Sequence, residues 1–252
     1  MEFNEFQSSS KMNTRVAAHI AGIALKAVKE TGSFTISLSG GSSPEGVYKK
    51  LAQKELSALI PWKKTYVFWG DERYVPFSDN RSNYKKADKL LLSKVPVPRE
   101  NIIRIPVEIT PVEEAALLYE RIMRKIFVTL GKIRNNRPKF DLVLLGMGED
   151  GHTASLFPGH EAVNEKKQWI MGFDSPVDDG IKKRITMTIP VINAAENISF
   201  IVSGEGKGRV MHAVKEKKGA YEEFPAAKVS AGGASVWFIN KNVFENKTSD
   251  NG

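Results

Sequence analysis

The sequence predicts a single α/β domain built on a parallel sheet, and three observations carry that prediction. Short runs rich in Val, Ile, Leu and Phe, such as "TISL", "YVFW", "LVLL" and "ISFIV", alternate with segments whose apolar residues recur at helical spacing. In "YVFW", "LVLL" and the "FIV" of the last run the apolar residues occupy consecutive rather than alternate positions, which means burial on both faces and hence a sheet covered by helices. The chain of 252 residues, 41% of them hydrophobic, shows no internal repeat and no linker long enough to divide it. Residues 1–252 therefore read as one unit, with loose polar tails expected at 1–10 and 246–252.

The elements follow in order. Val16, Ile20, Ile23 and Ala27 share one helical face and predict a helix over about residues 11–30. "SFTISLSG" is a strand that runs into glycines; Ser43 is placed to cap, and Pro44 to open, a helix through "EGVYKKLAQKEL". "KTYVFWG" is a strand and "SNYKKADKLLLSK" a helix, and the strongest helical period runs over 111–130, after Thr110-Pro111. "KFDLVLLG", "WIMGFD", "KRITMTIPVINAA" and "NISFIVSG" read as strands, the third leading into a turn. "KGRVMHAVKE" is a helix and "SVWFIN" the final strand.

Composition excludes several classes of function. The chain has no cysteine, so disulfides, thiolate metal sites and cysteine nucleophiles are ruled out. No apolar run reaches membrane-spanning length, and the polar N-terminus carries no apolar leader, so a cytoplasmic protein that does not engage membranes is expected. The net charge of +8 does not point to nucleic acid, because the cations are dispersed among glutamates in amphipathic stretches such as "ERIMRKIFVTLGKIRNNRPKF". A net positive field does help to gather a small anion.

"FDLVLLGMGEDGHTASLFPG" contains Gly146-Met147-Gly148-Glu149-Asp150-Gly151, which spells a dinucleotide fingerprint, and Asp174 even ends a strand at roughly the ribose-binding distance. Two features oppose that reading. Only "HTASLF" separates Gly151 from Pro158-Gly159, about two helical turns at most, whereas the fingerprint's third glycine opens a long helix. Glu149 and Asp150 would also lie against the pyrophosphate and repel it.

Four loops leave the carboxyl ends of strands with polar or glycine-rich sequences: "SLSGGSSP", "WGDERY", "LGMGEDGHT" and "VSGEGKGR". Ligands of open α/β sheets bind at that edge. The first loop offers hydroxyls and backbone N–H groups from Ser39, Gly40, Gly41 and Ser42, a neutral phosphate cradle or simply a capped turn. The fourth places Lys207 and Arg209 at a helix start, where cations oppose the helix dipole unless an anion joins them. The second carries Asp71, Glu72 and Arg73, as an ion pair or as site groups. The third holds His152 beside Glu149 and Asp150, whose bland alternative is a tight Asp-Gly turn with a capping histidine. His19 and His212 fall within helices as packing or surface residues, and His160 lies in a loop with no supporting group. Together these loops suggest a small phosphorylated substrate and acid–base chemistry. No metal-ligand cluster is visible, and the Gly-x-Ser-x-Gly setting of a serine nucleophile is absent.

At this point the chain resembles a known family. "LSGGSSPEGVYKKL", "FWGDERYVPFSDNRSNY", "FDLVLLGMGEDGHTASLFPG", "RITMTIPVINAAENISFIVSGEGK" and "PAAKV" occur in order between about residues 12 and 240, as in the 6-phosphogluconolactonases. The resemblance implies a Rossmann-like three-layer α/β sandwich with a mainly parallel sheet, of the glucosamine-6-phosphate deaminase and ribose-5-phosphate isomerase type. It implies hydrolysis of 6-phospho-D-glucono-1,5-lactone in the oxidative pentose phosphate pathway, without cofactor or metal. His152 carries over as general base, oriented by Asp150 or Glu149, with Arg73 a further catalytic group. Ser39, Gly40, Gly41, Ser42, Asp71 and Lys207 carry over as substrate or phosphate contacts, and Arg184 as a further anion contact. The partner implied is a phosphorylated sugar lactone, met by a monomer. Two alternatives are a glucosamine-6-phosphate deaminase, in which Asp-Glu-Tyr is expected where this chain has Asp71-Glu72-Arg73, and a non-catalytic sugar-phosphate sensor. Two departures from the family pattern, Phe224 and a missing N-terminal strand, are expected to lie away from the site.

Overall fold

The computed structural model describes residues 1–219, 221–229 and 234–245; the tail expected at 246–252 lies outside the described residues. The elements are strand β1 (Glu2–Phe6), helix α1 (Ser9–Thr31), β2 (Phe34–Leu38), α2 (Glu45–Leu51), α3 (Lys54–Ser57), β3 (Thr65–Trp69), β4 (Asp71–Arg73), α4 (Asn83–Leu90) and α5 (Val112–Thr129). They continue with the short pair β5 (Ile133–Arg134) and β6 (Arg137–Pro138), then β7 (Leu142–Leu145), β8 (Ile170–Asp174), β9 (Lys183–Met187), α6 (Ile189–Asn193), β10 (Asn197–Val202), α7 (Gly208–Glu216) and β11 (Ala234–Asn240).

The main sheet has six strands in the order β1-β11-β10-β7-β2-β3, and every pairing in it is parallel. Register shows that helices cover both of its faces. Phe68 aligns with Ser37, Ser37 with Val143, Val143 with Ile198 and Ile198 with Ser235. Phe238, three residues beyond Ser235, therefore points to the opposite face from Phe68. Phe127 of α5 packs on Phe68, and His19 of α1 packs on Phe238, with ring centroids 5.3 and 5.2 Å apart. The core sits in these two layers, and β2 and β7 are buried at every position.

The expected loose tail at 1–10 is corrected by the structure. Glu2–Phe6 forms an edge strand paired with β11 over five residues, and Ser9 and Ser10 already belong to α1. Phe3 stacks toward Trp237 and Phe6 on Phe238, so the two aromatic side chains anchor a segment whose glutamates look solvated in sequence. The family's N-terminal strand is thus present. The predicted Ser43 cap is also corrected: Pro44 holds the cap position of α2, and the Ser43 hydroxyl instead meets the Ser203 hydroxyl at 3.0 Å. The helix expected over 45–56 breaks into α2 and α3 around Ala52 and Gln53.

A second, three-stranded antiparallel sheet, β4-β9-β8, takes "GDER" and "RITMT" out of the main sheet. Gly70 is the switch point. Its N–H still bonds Leu38 O of the main sheet at 3.1 Å, while its carbonyl accepts Met187 N–H of the second at 2.7 Å. The small sheet thereby projects past the carboxyl end of β3. At the amino end the polar groups satisfy one another instead: buried Lys132 pairs with Asp141 and donates to Ser33 O at 2.8 Å, and Asp141 accepts the Thr35 N–H at 2.7 Å. The sheet is sealed at one end and open at the other.

Candidate active site

The loops that follow β2, β3, β7 and β10 come from four neighbouring strands, so their convergence follows from strand order. They enclose a cleft of about 220 Å³ lined by Ser39, Gly40, Gly41, Ser42, Asp71, Arg73, Asn83, Gly148, His152 and Lys207, among others. It opens into an outer lobe of about 430 Å³ that shares Asp71, Arg73, His152 and Lys207 and adds Glu149, Asp150, Phe157, Asp179 and Arg184. The residues that the resemblance implies as catalytic or substrate contacts thus line one lobe or the other, whereas Glu72 and Arg209 line neither. A larger hollow of about 620 Å³ lies by the start of β3. Its lining offers Lys54, Lys63, Lys64 and Lys94 but no histidine or carboxylate, so it lacks an acid–base pair.

The histidine loop is fixed by its own backbone. Gly148 N–H bonds His152 O at 2.9 Å, Gly151 N–H bonds Gly148 O at 3.2 Å, and the Thr153 hydroxyl holds Gly146 O at 2.8 Å. Glycine is required twice. A Cβ on Gly148 would fall 2.2 Å from the His152 ring, and Gly151 has φ +83° with a Cβ position 2.6 Å from Phe224. No helix follows the loop, which removes the last support for a dinucleotide site. His152 Nδ1 lies 2.6 Å from Asp150 Oδ1 and its ring packs on Phe157 at 4.9 Å between centroids. Asp150, not Glu149, is therefore the carboxylate on the imidazole. Burial raises the Asp150 pKa, but the hydrogen bond and charge of His152 outweigh it and hold the group below the usual range.

Phe224 corrects an expectation. It does touch the site, because it packs behind Gly151, and the adjoining Ala226 N–H bonds Gly151 O at 3.0 Å. The "PAAKV" segment is a buttress for the histidine loop.

The serine-glycine loop is pinned by buried Tyr48, whose hydroxyl donates to Ser39 O at 2.6 Å and accepts the Ser39 N–H at 3.1 Å. Lys207 Nζ donates to Ser203 O at 2.6 Å, and burial holds its pKa below the ordinary lysine value, against the charge of Glu149. Arg209 stands apart from these cations, its guanidinium 5.7 Å from the Phe224 ring.

On the second sheet, Arg73 of β4 and Arg184 of β9 are register partners. Arg73 Nη1 donates to Arg81 O at 2.8 Å, and buried Arg184 is paired with Asp179. Glu72 turns inward and accepts the N–H groups of Arg73, Asn83 and Tyr84 at 2.7–2.8 Å and the Ser82 hydroxyl at 3.1 Å. Burial pushes its pKa up to about 7 against those donors. It ties the start of α4 to β4. Asp71, also buried, accepts the Ser155 hydroxyl at 2.7 Å and the Asn83 side chain at 3.4 Å.

Sequence reasoning missed Asn83, Ser155, Phe157 and Asp179. Asn83, Ser155 and Phe157 fall inside the quoted motifs and could have been found there, whereas Asp179 lies in an ordinary Asp-Gly turn. The remaining histidines are packing groups; His160, expected to be unsupported, accepts the Ala162 N–H at 3.2 Å and packs on Phe173. Among the described residues no group of three or more His, Asp or Glu could hold a metal ion, and no helix is long and apolar enough to cross a membrane.

Residues 7–237 match the family model described as glucosamine-6-phosphate isomerases/6-phosphogluconolactonase. The chain is 41% identical over 230 residues to 6-phosphogluconolactonase 3, chloroplastic, of Arabidopsis thaliana, covering 90% of this chain and 69% of that one. It is 38% identical to probable 6-phosphogluconolactonase 2 of Oryza sativa subsp. indica, covering 99% and 91%. The crystal structure of 6-phosphogluconolactonase from Thermotoga maritima superimposes with a TM-score of 0.80 at 28% identity over 95% of this chain and 99% of that one. With the match spanning both the sheet and the four loops, the chain belongs to the glucosamine-6-phosphate isomerase/6-phosphogluconolactonase family.

Proposed function

We propose that the protein hydrolyses 6-phospho-D-glucono-1,5-lactone to 6-phospho-D-gluconate, the lactone-opening step of the oxidative pentose phosphate pathway. The observation that carries this reading is the 2.6 Å contact of His152 with Asp150 in a cleft that also holds Arg73, Arg184 and Lys207. A base and a set of cations in one cavity suit a neutral acyl centre on an anionic carrier. The names of the relatives quoted above support the same choice.

In this mechanism Asp150 accepts the Nδ1–H of His152 and so fixes the tautomer that leaves Nε2 free to act as a base. Nε2 takes a proton from water as its oxygen bonds to the lactone carbonyl carbon. The carbonyl electron pair moves to the oxygen, and the N–H groups of Arg73 not used on Arg81 meet that charge. Collapse expels the ring oxygen, which takes the proton back from the imidazolium. Water is consumed and the free histidine is restored. Such acid–base catalysis contributes about 10²–10⁴-fold, which suits an ester already activated by its ring. Lys207 and Arg184, with the Ser39–Ser42 loop, hold the phosphate, and this remote contact fixes the ring against the base.

The deaminase reading finds its acid in Asp71, which lines both lobes, but Asp71 is held by Ser155 and Asn83, and an arginine follows Glu72. The same proposal has the chain acting as a cytoplasmic monomer, supported by the cysteine-free composition and by a site assembled from one chain's loops; fractionation and sedimentation test those two points. The test of activity is hydrolysis of freshly generated lactone, coupled to 6-phosphogluconate dehydrogenase and corrected for spontaneous opening. Turnover by the wild type and its loss in His152→Asn support the reading. Background rates for the wild type, with release of ammonia from glucosamine 6-phosphate, overturn it.

A further inference from the structure

We propose that Asp179 is an internal stand-in for the substrate's anion: it occupies Arg184 in the ligand-free protein and surrenders it when a phosphate enters. The proposal rests on the reading of Arg184 as an anion contact and adds a competing residue that sets substrate affinity.

The pair is asymmetric. The Arg184 side chain is 4% exposed and that of Asp179 is 47% exposed. Arg184 belongs to the middle strand of the second sheet, bonded to β4 on one side and β8 on the other, so it cannot follow a partner into solvent. Its guanidinium faces the outer lobe, 6.0 Å from the ring of Phe157, which in turn packs on His152. Asp179 lies in the turn between β8 and β9, where residues 176–180 are all exposed. Exchange therefore moves the aspartate and leaves the arginine in place.

A buried guanidinium needs an anion, because the charge alone is costly to desolvate. Asp179 supplies one but uses the fork incompletely. It engages Nη2, while Nε is buried and has no hydrogen-bond partner among the described residues. A phosphate monoester brings more charge and further acceptor oxygens, and can take Nε and Nη2 together. The cavity that holds the pair also holds Lys207 and Arg73, so the incoming anion meets two more cations that Asp179 does not contact by hydrogen bond. The turn itself is retained after exchange: Arg81 Nη1 donates to Gly180 O at 3.0 Å and is gripped by Asp79.

Competition of this kind lowers apparent affinity by the fraction of molecules in which Arg184 is free. Removing the carboxylate should remove that handicap. Isothermal titration with inorganic phosphate and with 6-phosphogluconate is run on wild type, Asp179→Asn and Asp179→Glu, with a melting curve for each to establish folding. Asp179→Asn should bind both ligands about tenfold tighter, with a lower KM for the phosphorylated lactone. Asp179→Glu, which keeps the charge, should stay near the wild type. Equal or weaker phosphate binding by Asp179→Asn overturns the proposal and makes Asp179 a support for Arg184. The titrations need no turnover, so failure of the lactonase reading and failure of this proposal appear in different measurements.

Discussion

Asp150 Oδ1 accepts two hydrogen bonds from one residue, His152: the ring Nδ1 at 2.6 Å and the backbone N–H at 3.1 Å. The carboxylate therefore sets both where the loop turns and how the imidazole points. His152→Asn should leave the fold intact and lower kcat by about 10²–10⁴-fold. Asp150→Asn keeps the shape but can no longer accept from Nδ1–H, so kcat should fall by roughly 10–100-fold with little change in KM. Steady-state kinetics on both variants check this, and an Asp150→Asn enzyme with full kcat would show that the contact does not orient a working base.

Gly148 gives a sharper geometric test. A Cβ there would sit 2.2 Å from His152 Cε1, so Gly148→Ala must push the ring off its place. A displacement near 1 Å can cost about 10²-fold in rate. Loss of kcat at nearly wild-type melting temperature is the expected outcome; unchanged kcat would mean that the ring position is not critical.

Lys207 ties function to stability through pH. Burial lowers its pKa, so the ammonium is disfavoured in the fold relative to the unfolded chain, where it titrates near 10.5. At neutral pH the folded state bears that cost, and the cost disappears as pH rises through the lowered folded value toward the unfolded one. Lys207→Met should accordingly melt higher than wild type at pH 7, at roughly 2–4 °C per kcal/mol gained, and the difference should shrink on the alkaline side. Phosphate affinity should fall in the same variant. In the wild type it should weaken at a pH lower than an exposed lysine would allow. Melting and titration across pH read both effects.

Phe224 is 7% exposed behind the histidine loop. Phe224→Ala opens a cavity there and should destabilise by about 3–5 kcal/mol, while Phe224→Leu should keep most of the stability and lose part of kcat. Equal kcat in Phe224→Leu and wild type would confine Phe224 to packing.

The main sheet and the convergence of its loops were legible because consecutive apolar residues report burial on both faces, and that pattern occurs in β3, β7 and β10. The second sheet was not, because β4 has only three residues and "RITMT" looks the same in either sheet. Phe3 and Phe6 of β1 depend on partners in β11, almost the whole chain away, so no local pattern marks them as anchored. In the site, His152 and Asp150 could be read because they are neighbours in sequence, and only the choice between Asp150 and Glu149 needed coordinates. Asp179 sits in a turn that reads as solvated; its meaning comes from Arg184, brought beneath it by the β8–β9 hairpin.

The placement of β1 has a consequence for biosynthesis. Its hydrogen-bonding neighbour is β11, which is made last among the described strands. β1 must therefore wait, aromatic side chains uncovered, until β11 has been made. The inner strands can pair earlier, so closure of this edge is a late event in folding, and a nascent chain halted before residue 234 leaves Phe3 and Phe6 available to a chaperone.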